Sequence, residues 1–346
     1  MKHQTTRYGE IPFYKIGTFG NTADAFISKK LFLEYKTKYS FPKKGDILIS
    51  ASGTIGRAVI YDGKPAYFQD SNIVWIDNDE TLAKNDFLFY AYSNVKWNTE
   101  HTTILRLYND NFRNTLIPLP PLNEQSAIAN ILSALDRYLY ALDALILKKE
   151  GVKKALSFEL LSQRKRLKGF NQTWQRVRLG DIANYLTSNL SAEQITQQGK
   201  IKVYDVNNFI GYTDTTFISD KPYISIVKDG SVGRVRILPP KTNILSTMGA
   251  LIANHRTTTE FLFYLLSNFD FKNFTSGSII PHIYFKDYKE KTIFLPPLNE
   301  QSAIANILSA LDNEITSLKN KKRQFENIKK ALNHDLMSAK IRVLKK

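Results

Sequence analysis

The sequence predicts an α+β protein made of two copies of one plan, each copy a mixed α/β domain followed by a long helix. Residues 119–136 read LPPLNEQSAIANILSALD, and residues 295–312 read the same. The shift of 176 is about half of the 346-residue chain, so the repeat divides the chain into two equivalent halves. Long helices with coiled-coil periodicity and short strand-like runs before each of them complete the prediction.

The two long helices are predicted from apolar positions that alternate in steps of four and three residues. This spacing is typical of a coiled coil rather than of an ordinary amphipathic helix. We call these positions the seam. Its apolar residues are Ile128, Leu132, Leu135, Leu139, Leu142, Ile146, Leu156 and Leu160 in copy one, and Ile304, Leu308, Leu311, Ile315, Leu318, Phe325, Leu332 and Leu336 in copy two. Its remaining positions are Lys149, Lys153, Lys322 and Lys329.

Each seam needs an apolar partner, and the other copy's seam is the one that the sequence offers. We therefore expect the helices to pair as an antiparallel coiled coil with pseudo-twofold symmetry. Pro120-Pro121 and Pro296-Pro297 favour extended backbone just before each helix, which makes Asn123 and Asn299 candidate N-caps. The predicted division is a first mixed α/β domain over 1–118, a helix over 119–168, a second mixed α/β domain over 169–294 and a helix over 295–346.

The domains before the helices have the pattern of mixed α/β structure. Short runs rich in Ile and Val at 46–50, 58–61 and 73–76 are separated by Gly, Asp and Asn, which predicts strands. The segments 85–94 and 259–268 are matching candidates for short helices with Asn or Thr caps.

The two domains align in outline but differ at their starts. Residues 9–14 match 199–204, and the turn SGTIGR at 52–57 matches DGSVGR at 229–234. Copy two carries a further segment, WQRVRLGDIANYL from Trp174, for which copy one has no counterpart. We expect that the first domain lacks its opening segment, or that this segment is supplied otherwise.

The composition favours a partner that is a polyanion. The formal net charge is +16, and the excess is spread along the whole chain, which suits a body that lies along a DNA duplex. A generic basic surface is the alternative. The absence of cysteine and of a membrane span or secretory signal favours a cytoplasmic protein without membrane contacts.

No pattern of residues points to catalysis. The glycines at 52–56 lack the spacing and the lysine of a phosphate-binding loop. The five histidines show no metal-ligand spacing, so neither a metal nor a cofactor is expected.

At this point the chain resembles the specificity subunit of type I restriction-modification enzymes. The residues that carry the resemblance are the duplicated LPPLNEQSAIANILSALD motif, the segments Lys153–Leu156 and Lys329–Leu332 near the helix ends, and the Leu179-Gly-Asp-Ile182 run after Trp174. The Gly-Ser/Thr-apolar-Gly-Arg turn in both domains belongs to the same pattern.

The resemblance implies a non-catalytic DNA-binding subunit with two target-recognition domains. Each domain would read one half of a bipartite, asymmetric site in double-stranded DNA, and the helix pair would fix the spacer between the halves. Methyltransferase subunits, usually two, and a motor-nuclease restriction subunit would assemble with it. The residues expected to contact the methyltransferase lie at the helix starts: Asn123, Glu124, Gln125, Asn299, Glu300 and Gln301.

The candidate DNA contacts are basic, hydroxyl and amide side chains of the two domains. Arginines after glycine-rich turns suit phosphates or guanine edges, hydroxyls suit phosphates, and amides suit adenine edges. The candidates are Ser52, Thr54, Arg57, Gln69, Asn72, Arg106, Tyr108 and Asn111 in the first domain, and Lys228, Ser231, Arg234, Arg236, Ser276, Ser278 and His282 in the second. The alternative is a structural turn with a solvated arginine.

Three other functions stay open at this level. The alternatives are a shortened or silent copy with only one competent recognition domain, a stand-alone nuclease or methyltransferase, and a coiled-coil scaffold. The absence of catalytic motifs disfavours the second, and divergent domains on an identical frame disfavour the third.

Overall fold

The structure, a computed structural model, describes residues 4–68, 72–97 and 106–344. The chain forms two compact units. Unit 1 contains residues 1–143 and 320–346, and unit 2 contains residues 144–319. Each unit thus combines one predicted recognition domain with the first part of one long helix and the last part of the other.

The first half of the chain begins with short strands and helices and ends in a helix of 40 residues. These are β1 (Ile11–Tyr14), β2 (Ala25–Ile27), α1 (Lys29–Lys38), β3 (Ile47–Ser50), β4 (Ala58–Ile60), β5 (Tyr67–Phe68), β6 (Ile73–Trp75), α2 (Asn85–Tyr92), α3 (Asn109–Arg113) and α4 (Leu122–Leu161). The three strands and the short helix that the sequence predicts here are confirmed.

The second half repeats this order with additional strands. They are β7 (Gln175–Arg178), β8 (Ala183–Thr187), β9 (Ile201–Tyr204), β10 (Phe209–Thr213), β11 (Tyr223–Val227), β12 (Val235–Leu238), β13 (Thr242–Ile244), β14 (Met248–Ala253), α5 (Thr259–Ser267), β15 (Thr275–Ser276), β16 (His282–Ile283), α6 (Phe285–Tyr288), β17 (Thr292–Leu295) and α7 (Leu298–Met337). Short 3-10 turns lie at Leu179–Asp181, Ala192–Gln194 and Lys272–Phe274.

In unit 1, two three-stranded sheets have the orders β2-β1-β5 and β4-β3-β6. The inward side chains of β3, Ile47 and Ile49, pack in one buried cluster with α2 and with Ile128 and Leu132 of α4. Leu336 of α7 completes the same cluster. Burial of this apolar surface ties the recognition domain of unit 1 to both long helices.

In unit 2, the corresponding sheets have the orders β10-β9-β13 and β12-β11-β14-β8, and the smaller pairs are β17-β7 and β15-β16. The main buried cluster joins Ile224 and Ile226 of β11 to Phe261 of α5, Leu160 of α4 and Leu308 of α7. The core of unit 2 therefore lies between a strand, a short helix and both long helices, as the core of unit 1 does.

The opening segment distinguishes the two units. In unit 2, β7 pairs with β17 and β8 pairs with β14, which makes the second sheet four-stranded. Among the residues that the structure describes, unit 1 has no counterpart of either strand. The expected difference between the two domain starts is thus a difference of two strands.

The long helices run antiparallel within each unit, as predicted. In unit 1, Lys322 binds Asp143 and Lys329 binds Asp136, so that a step forward along α7 is a step backward along α4. In unit 2, Lys149 binds Glu314 at 2.8 Å and Lys153 binds Asp312.

These four lysines are the seam positions that are not apolar, and each reaches an acid on the facing helix. The apolar seam positions are all buried or half-buried. Polar seam residues with matched partners fix register and orientation, so the lysines that interrupt the apolar pattern specify the pairing.

The predicted caps need two corrections. Both long helices begin one residue before the expected asparagine, and the Asn123 and Asn299 side chains instead accept a hydrogen bond from the next backbone N–H at 2.9 Å. In α2 the N-cap position is held by Lys84, whose N–H donates to Oε1 of Gln125 at 2.7 Å. The first helical N–H, that of Asn85, donates to Oε1 of Glu80 at 2.9 Å, and the Lys84 side chain makes no capping hydrogen bond. In α5 the N-cap is Thr258, a residue of the predicted type, and its hydroxyl accepts a hydrogen bond from the Phe261 N–H.

Candidate nucleic-acid interface

A glycine-rich turn follows β3 in unit 1. Gly56 has φ +82°, a left-handed conformation that favours glycine, and a Cβ there would lie 2.3 Å from Nε1 of Trp97. Its N–H donates to the carbonyl of Ser50 at 3.0 Å. The turn is therefore fixed by backbone geometry and by a close aromatic neighbour.

The turn presents two of the predicted side chains to solvent. Thr54 and Arg57 are exposed. The Arg57 guanidinium donates one hydrogen bond to the carbonyl of Phe19 at 2.9 Å, which orients the side chain and leaves its other N–H groups available.

Three other predicted residues of unit 1 lie together beside this turn. Ser52 donates to Oδ1 of Asn72 at 2.9 Å and pairs through its backbone with Arg106. The Leu107 N–H donates to the carbonyl of Ala51 at 2.9 Å, which holds the Arg106 segment against the end of β3. We call residues 52–57, Asn72 and 106–108 the first turn site. Gln69 lies outside the described residues.

Unit 2 repeats this arrangement after β11. The Gly233 N–H donates to the carbonyl of Val227 at 2.9 Å, and a Cβ at Gly233 would lie 2.6 Å from the Phe271 ring. Ser231 and Arg234 are exposed on the turn. The equivalence predicted from sequence between the two turns is confirmed in both hydrogen bonding and packing.

His282 occupies the position of Arg106. The bridge between Asp229 and His282 matches that between Ser52 and Arg106, and His282 Nδ1 lies 2.6 Å from Oδ1 of Asp229. The Ile283 N–H donates to the carbonyl of Lys228 at 2.9 Å, which brings Lys228 into the same group. We call residues 228–234 and 282–284 the second turn site.

An exposed tyrosine borders each turn site. Tyr108 precedes α3 and Tyr284 precedes α6, 176 positions later, and both are exposed. Tyr284 lies parallel to the His282 ring, and Lys286 Nζ lies 5.5 Å from the Tyr284 ring centroid. The sequence prediction named Tyr108 and missed Tyr284, although the shift of the repeat would have found it.

Ser276 ends β15 and pairs with His282 of β16, and Ser278 lies on the exposed loop between these strands. The same loop carries Ile279, 92% exposed, and Ile280, 55% exposed. Apolar side chains at such exposure were not among the predicted contacts, and the loop adjoins His282 of the second turn site.

Two further predicted contact residues, Arg236 and Asn111, also make hydrogen bonds within the protein. Arg236 donates to the carbonyl of Asn207 at 2.7 Å and stacks over the Tyr204 ring at 5.0 Å. Asn111 accepts the Tyr108 N–H at 2.8 Å as a cap of α3. Both side chains have a structural role, and their contact with DNA stays a prediction.

The starts of the long helices, where partner contacts were predicted, carry buried acids. Glu124 accepts two hydrogen bonds from Arg342, at 2.8 and 2.6 Å, which lowers the pKa of the Glu124 carboxyl. Glu300 is fully buried and accepts from Arg166 at 3.1 and 2.6 Å and from Nε1 of Trp174 at 3.0 Å. These bidentate pairs hold the chain that follows one helix against the start of the other.

The neighbouring glutamines are buried as well. Gln125 donates to the carbonyls of Leu82 and Pro120, and Gln301 donates to those of Arg256 and Pro296. Of the six predicted partner residues, Asn123 and Asn299 are exposed. A methyltransferase contact at the helix starts stays a prediction, and the exposed asparagines are its accessible part.

The described part of the chain contains no cluster of three or more His, Cys, Asp or Glu side chains that is placed to hold a metal ion. Within the same residues, none of the helices is both apolar enough and long enough to cross a bilayer.

Comparison with known proteins matches two stretches of this chain to one family. Residues 1–149 and 171–327 match the family described as "Type I restriction modification DNA specificity domain". A Haemophilus influenzae protein provisionally described as a type I restriction enzyme specificity subunit is 64% identical over 38% of this chain and 34% of its own length. The chain thus covers about a third of that relative.

A relative from Methanocaldococcus jannaschii, the type I restriction enzyme MjaVIII specificity subunit, is 25% identical over 92% of this chain and 84% of its own length. Among solved structures, the S subunit of a type I restriction-modification system from M. genitalium superposes with a TM-score of 0.64. The superposition covers 97% of this chain and 91% of that one at 20% identity, and so supports the fold.

Proposed function

This chain belongs to the family of type I restriction modification DNA specificity domains, and we propose that it is the DNA-recognition subunit of such a system. Each unit reads one half of a bipartite, asymmetric site in double-stranded DNA. The observation that carries the proposal is the pair of turn sites, equivalent in position but different in side chains. An identical frame with different residues at its two contact surfaces is what a reader of two different half-sites requires.

Within each turn site the side chains divide by chemistry. The exposed hydroxyls of Thr54 and Ser231 suit phosphate oxygens, which position the protein without reading sequence. Arg57 and Arg234 have free N–H groups for a phosphate or for the O6 and N7 acceptors of guanine. Arg106 in one site and His282 in the other are the clearest difference between the two readers.

The partners follow from the same proposal. The chain is non-catalytic and directs methyltransferase subunits, two in the complete enzyme, and a restriction subunit to the DNA. The cytoplasmic location predicted from the absence of cysteine is part of this proposal. The charge of +16 supports DNA as the ligand, since counterion release from phosphates contributes much of the affinity of such complexes.

Footprinting of the chain together with its methyltransferase tests the proposal. We expect two protected, sequence-specific half-sites that flank an unprotected spacer. Arg57→Ala should weaken protection of one half-site and Arg234→Ala that of the other. Arg323→Ala, which removes an exposed arginine of α7, is the matched control and should leave the protection of both half-sites unchanged. A single continuous site, or equal loss at both halves for either variant, would contradict two separate readers.

A shortened or silent copy with one competent domain is not favoured. Unit 1 retains a buried core, a turn fixed by Gly56 and Trp97, and an exposed Arg57. These are the features that also define the turn site of unit 2.

A further inference from the structure

The segment before α4 in unit 1 has the sequence position of a strand, but no strand pairs with it among the residues that the structure describes. Residues 115–119 correspond to 291–295, which in unit 2 contain β17 paired with β7. Leu295, which pairs with Gln175 of β7, is 5% exposed, whereas its counterpart Leu119 is 49% exposed. The difference marks where a covering strand is present in one unit and not in the described residues of the other.

The backbone of this segment is ready to pair. In unit 2 the Leu179 N–H donates to the carbonyl of Lys291, so the hydrogen-bonded positions of the ladder are Lys291, Ile293 and Leu295. Their counterparts include Ile117 and Leu119. Within residues 4–68, 72–97 and 106–344, the N–H and C=O groups of these two residues make no hydrogen bond.

Pro118 is compatible with such pairing. It corresponds to Phe294, which lies between two hydrogen-bonded positions and therefore points its N–H away from β7. Proline is tolerated where no ladder donor is needed.

Clefts lie along the same segment. One of about 260 Å³ is lined by Leu119, Glu124, Ile128, Leu336 and Arg342. In unit 2 the counterparts Leu160, Leu295 and Ile304 belong to the same buried cluster as Trp174, and Glu300, held by Arg166, accepts the hydrogen bond from its indole. An apolar cavity of about 150 Å³ admits a benzene ring, so the cleft in unit 1 has room for an aromatic side chain.

A second cleft of about 500 Å³ continues past Ile117 and is lined by Val95, Leu116, Pro118 and Met337. In unit 2, Val177 and Leu179 of the opening segment pack at the corresponding place, beside Leu265 and Ile293. Together the clefts follow the path that residues 174–179 take in unit 2.

The acid in the first cleft has a different third donor from its counterpart. Glu300 accepts from Arg166 and from the Trp174 indole, whereas Glu124 accepts two hydrogen bonds from Arg342 and one from the backbone N–H of Val343. A carboxylate has about four acceptor positions, so within the described residues one position at Glu124 is left for a further donor. An incoming indole N–H would find at Glu124 the acceptor that it has in unit 2.

We propose that unit 1 binds a strand-forming peptide segment with the chemistry of residues 174–179. The segment pairs antiparallel with residues 117–119, inserts an indole ring beside Leu119 and Ile128, and donates its N–H to Glu124. A continuation of the segment would add to the outer edge of β6, as β8 adds to β14 in unit 2. The inference rests on the internal repeat and not on DNA recognition, so the two proposals fail separately.

A synthetic fluorescent peptide with the sequence of residues 171–187 tests this on the full chain. Fluorescence anisotropy should show saturable binding of one peptide per chain, because the site in unit 2 is already filled. In hydrogen exchange, the amides of Ile117 and Leu119 should gain protection when the peptide is bound. A peptide with Trp174→Ala should bind at least about tenfold more weakly, since a buried aromatic anchor dominates such interfaces.

The chain variant Leu119→Lys places a charge in the covered position and should weaken binding by at least about tenfold. Leu33→Lys is the control, because Leu33 of α1 is 52% exposed and lines neither cleft. Both positions are at the surface, so circular dichroism should show unchanged folding. No saturable binding, equal binding by Leu119→Lys, or two peptides per chain through exchange at unit 2 would overturn the proposal.

Discussion

Lys329 binds the carboxylate of Asp136, 193 positions earlier in the chain. The same carboxylate accepts a hydrogen bond from the Tyr90 hydroxyl at 2.8 Å, and Lys329 Nζ lies 5.7 Å from the Tyr90 ring centroid. One group thus joins α2, α4 and α7 in unit 1. Asp136 ends the repeated motif, and its copy Asp312 binds Lys153 and Tyr264 in the same way in unit 2. Asp136 and Asp312, the last residues of the two copies of the motif, therefore have the same structural role in the two units.

The Asp136–Lys329 pair should show measurable coupling in a double-mutant cycle. Asp136→Ala and Lys329→Ala should together cost less than the sum of their separate effects, by about 0.5 to 1 kcal/mol, because both side chains are half-buried. Equilibrium urea unfolding provides the measurement. Asp110 and Arg113 form an exposed pair at 3.7 Å and serve as the control cycle, with coupling near zero. Equal coupling energies in the two cycles would contradict a stabilising role for the Asp136–Lys329 pair.

Trp174→Phe should destabilise unit 2 by about 1 to 3 kcal/mol. The substitution keeps an aromatic ring but removes the indole N–H that donates to the fully buried Glu300 carboxylate, and a hydrogen bond to a buried charge is among the stronger ones. Thermal and urea unfolding would measure the loss. Trp75→Phe is the matched control, because within the described residues the Trp75 indole makes no hydrogen bond. A loss at Trp174 no larger than at Trp75 would contradict this reading.

Glu124→Gln should change how the stability of the protein depends on pH. Hydrogen bonds from Arg342 lower the pKa of Glu124 below its ordinary value of 4.5, so the folded state favours the charged form. Its contribution is then fully present above pH 4.5 and is lost as the pH falls through the lowered value. The difference in Tm between the wild type and Glu124→Gln should be constant near neutral pH and shrink in acid. A difference in Tm that stays constant as the pH falls into the acid range would contradict this prediction.

Much of this architecture could be predicted because the repeat and the seam are long-range periodic signals. The sixteen apolar seam residues follow from heptad spacing alone, whereas this spacing leaves the direction of the partner helix open. The partners of Lys149, Lys153, Lys322 and Lys329 could not be predicted, since which acid faces each lysine depends on the register between helices.

The candidate site was predicted in part. Glycine spacing identified both turns, because a left-handed φ leaves a trace in the sequence. The burial of Glu124 and Glu300 under arginines that follow the opposite helix was not foreseen, since the interacting residues are more than a hundred positions apart. Local sequence patterns carry no information about such contacts, and the predicted methyltransferase contact at the helix starts stays a prediction.

Arg234→Ala and Tyr284→Ala should weaken DNA binding with different salt dependence. Arg234 contributes a positive charge, so its loss should reduce the slope of log affinity against log salt by about one unit if it contacts a phosphate. Tyr284 carries no charge, and its exposed ring suits stacking on a base or sugar, so its loss should lower affinity at every salt concentration without changing the slope. Titrations of labelled duplex DNA at several salt concentrations would separate the two effects. Phe294→Ala, which removes an exposed aromatic ring from β17, is the control, and an equal effect there would contradict a specific role for Tyr284.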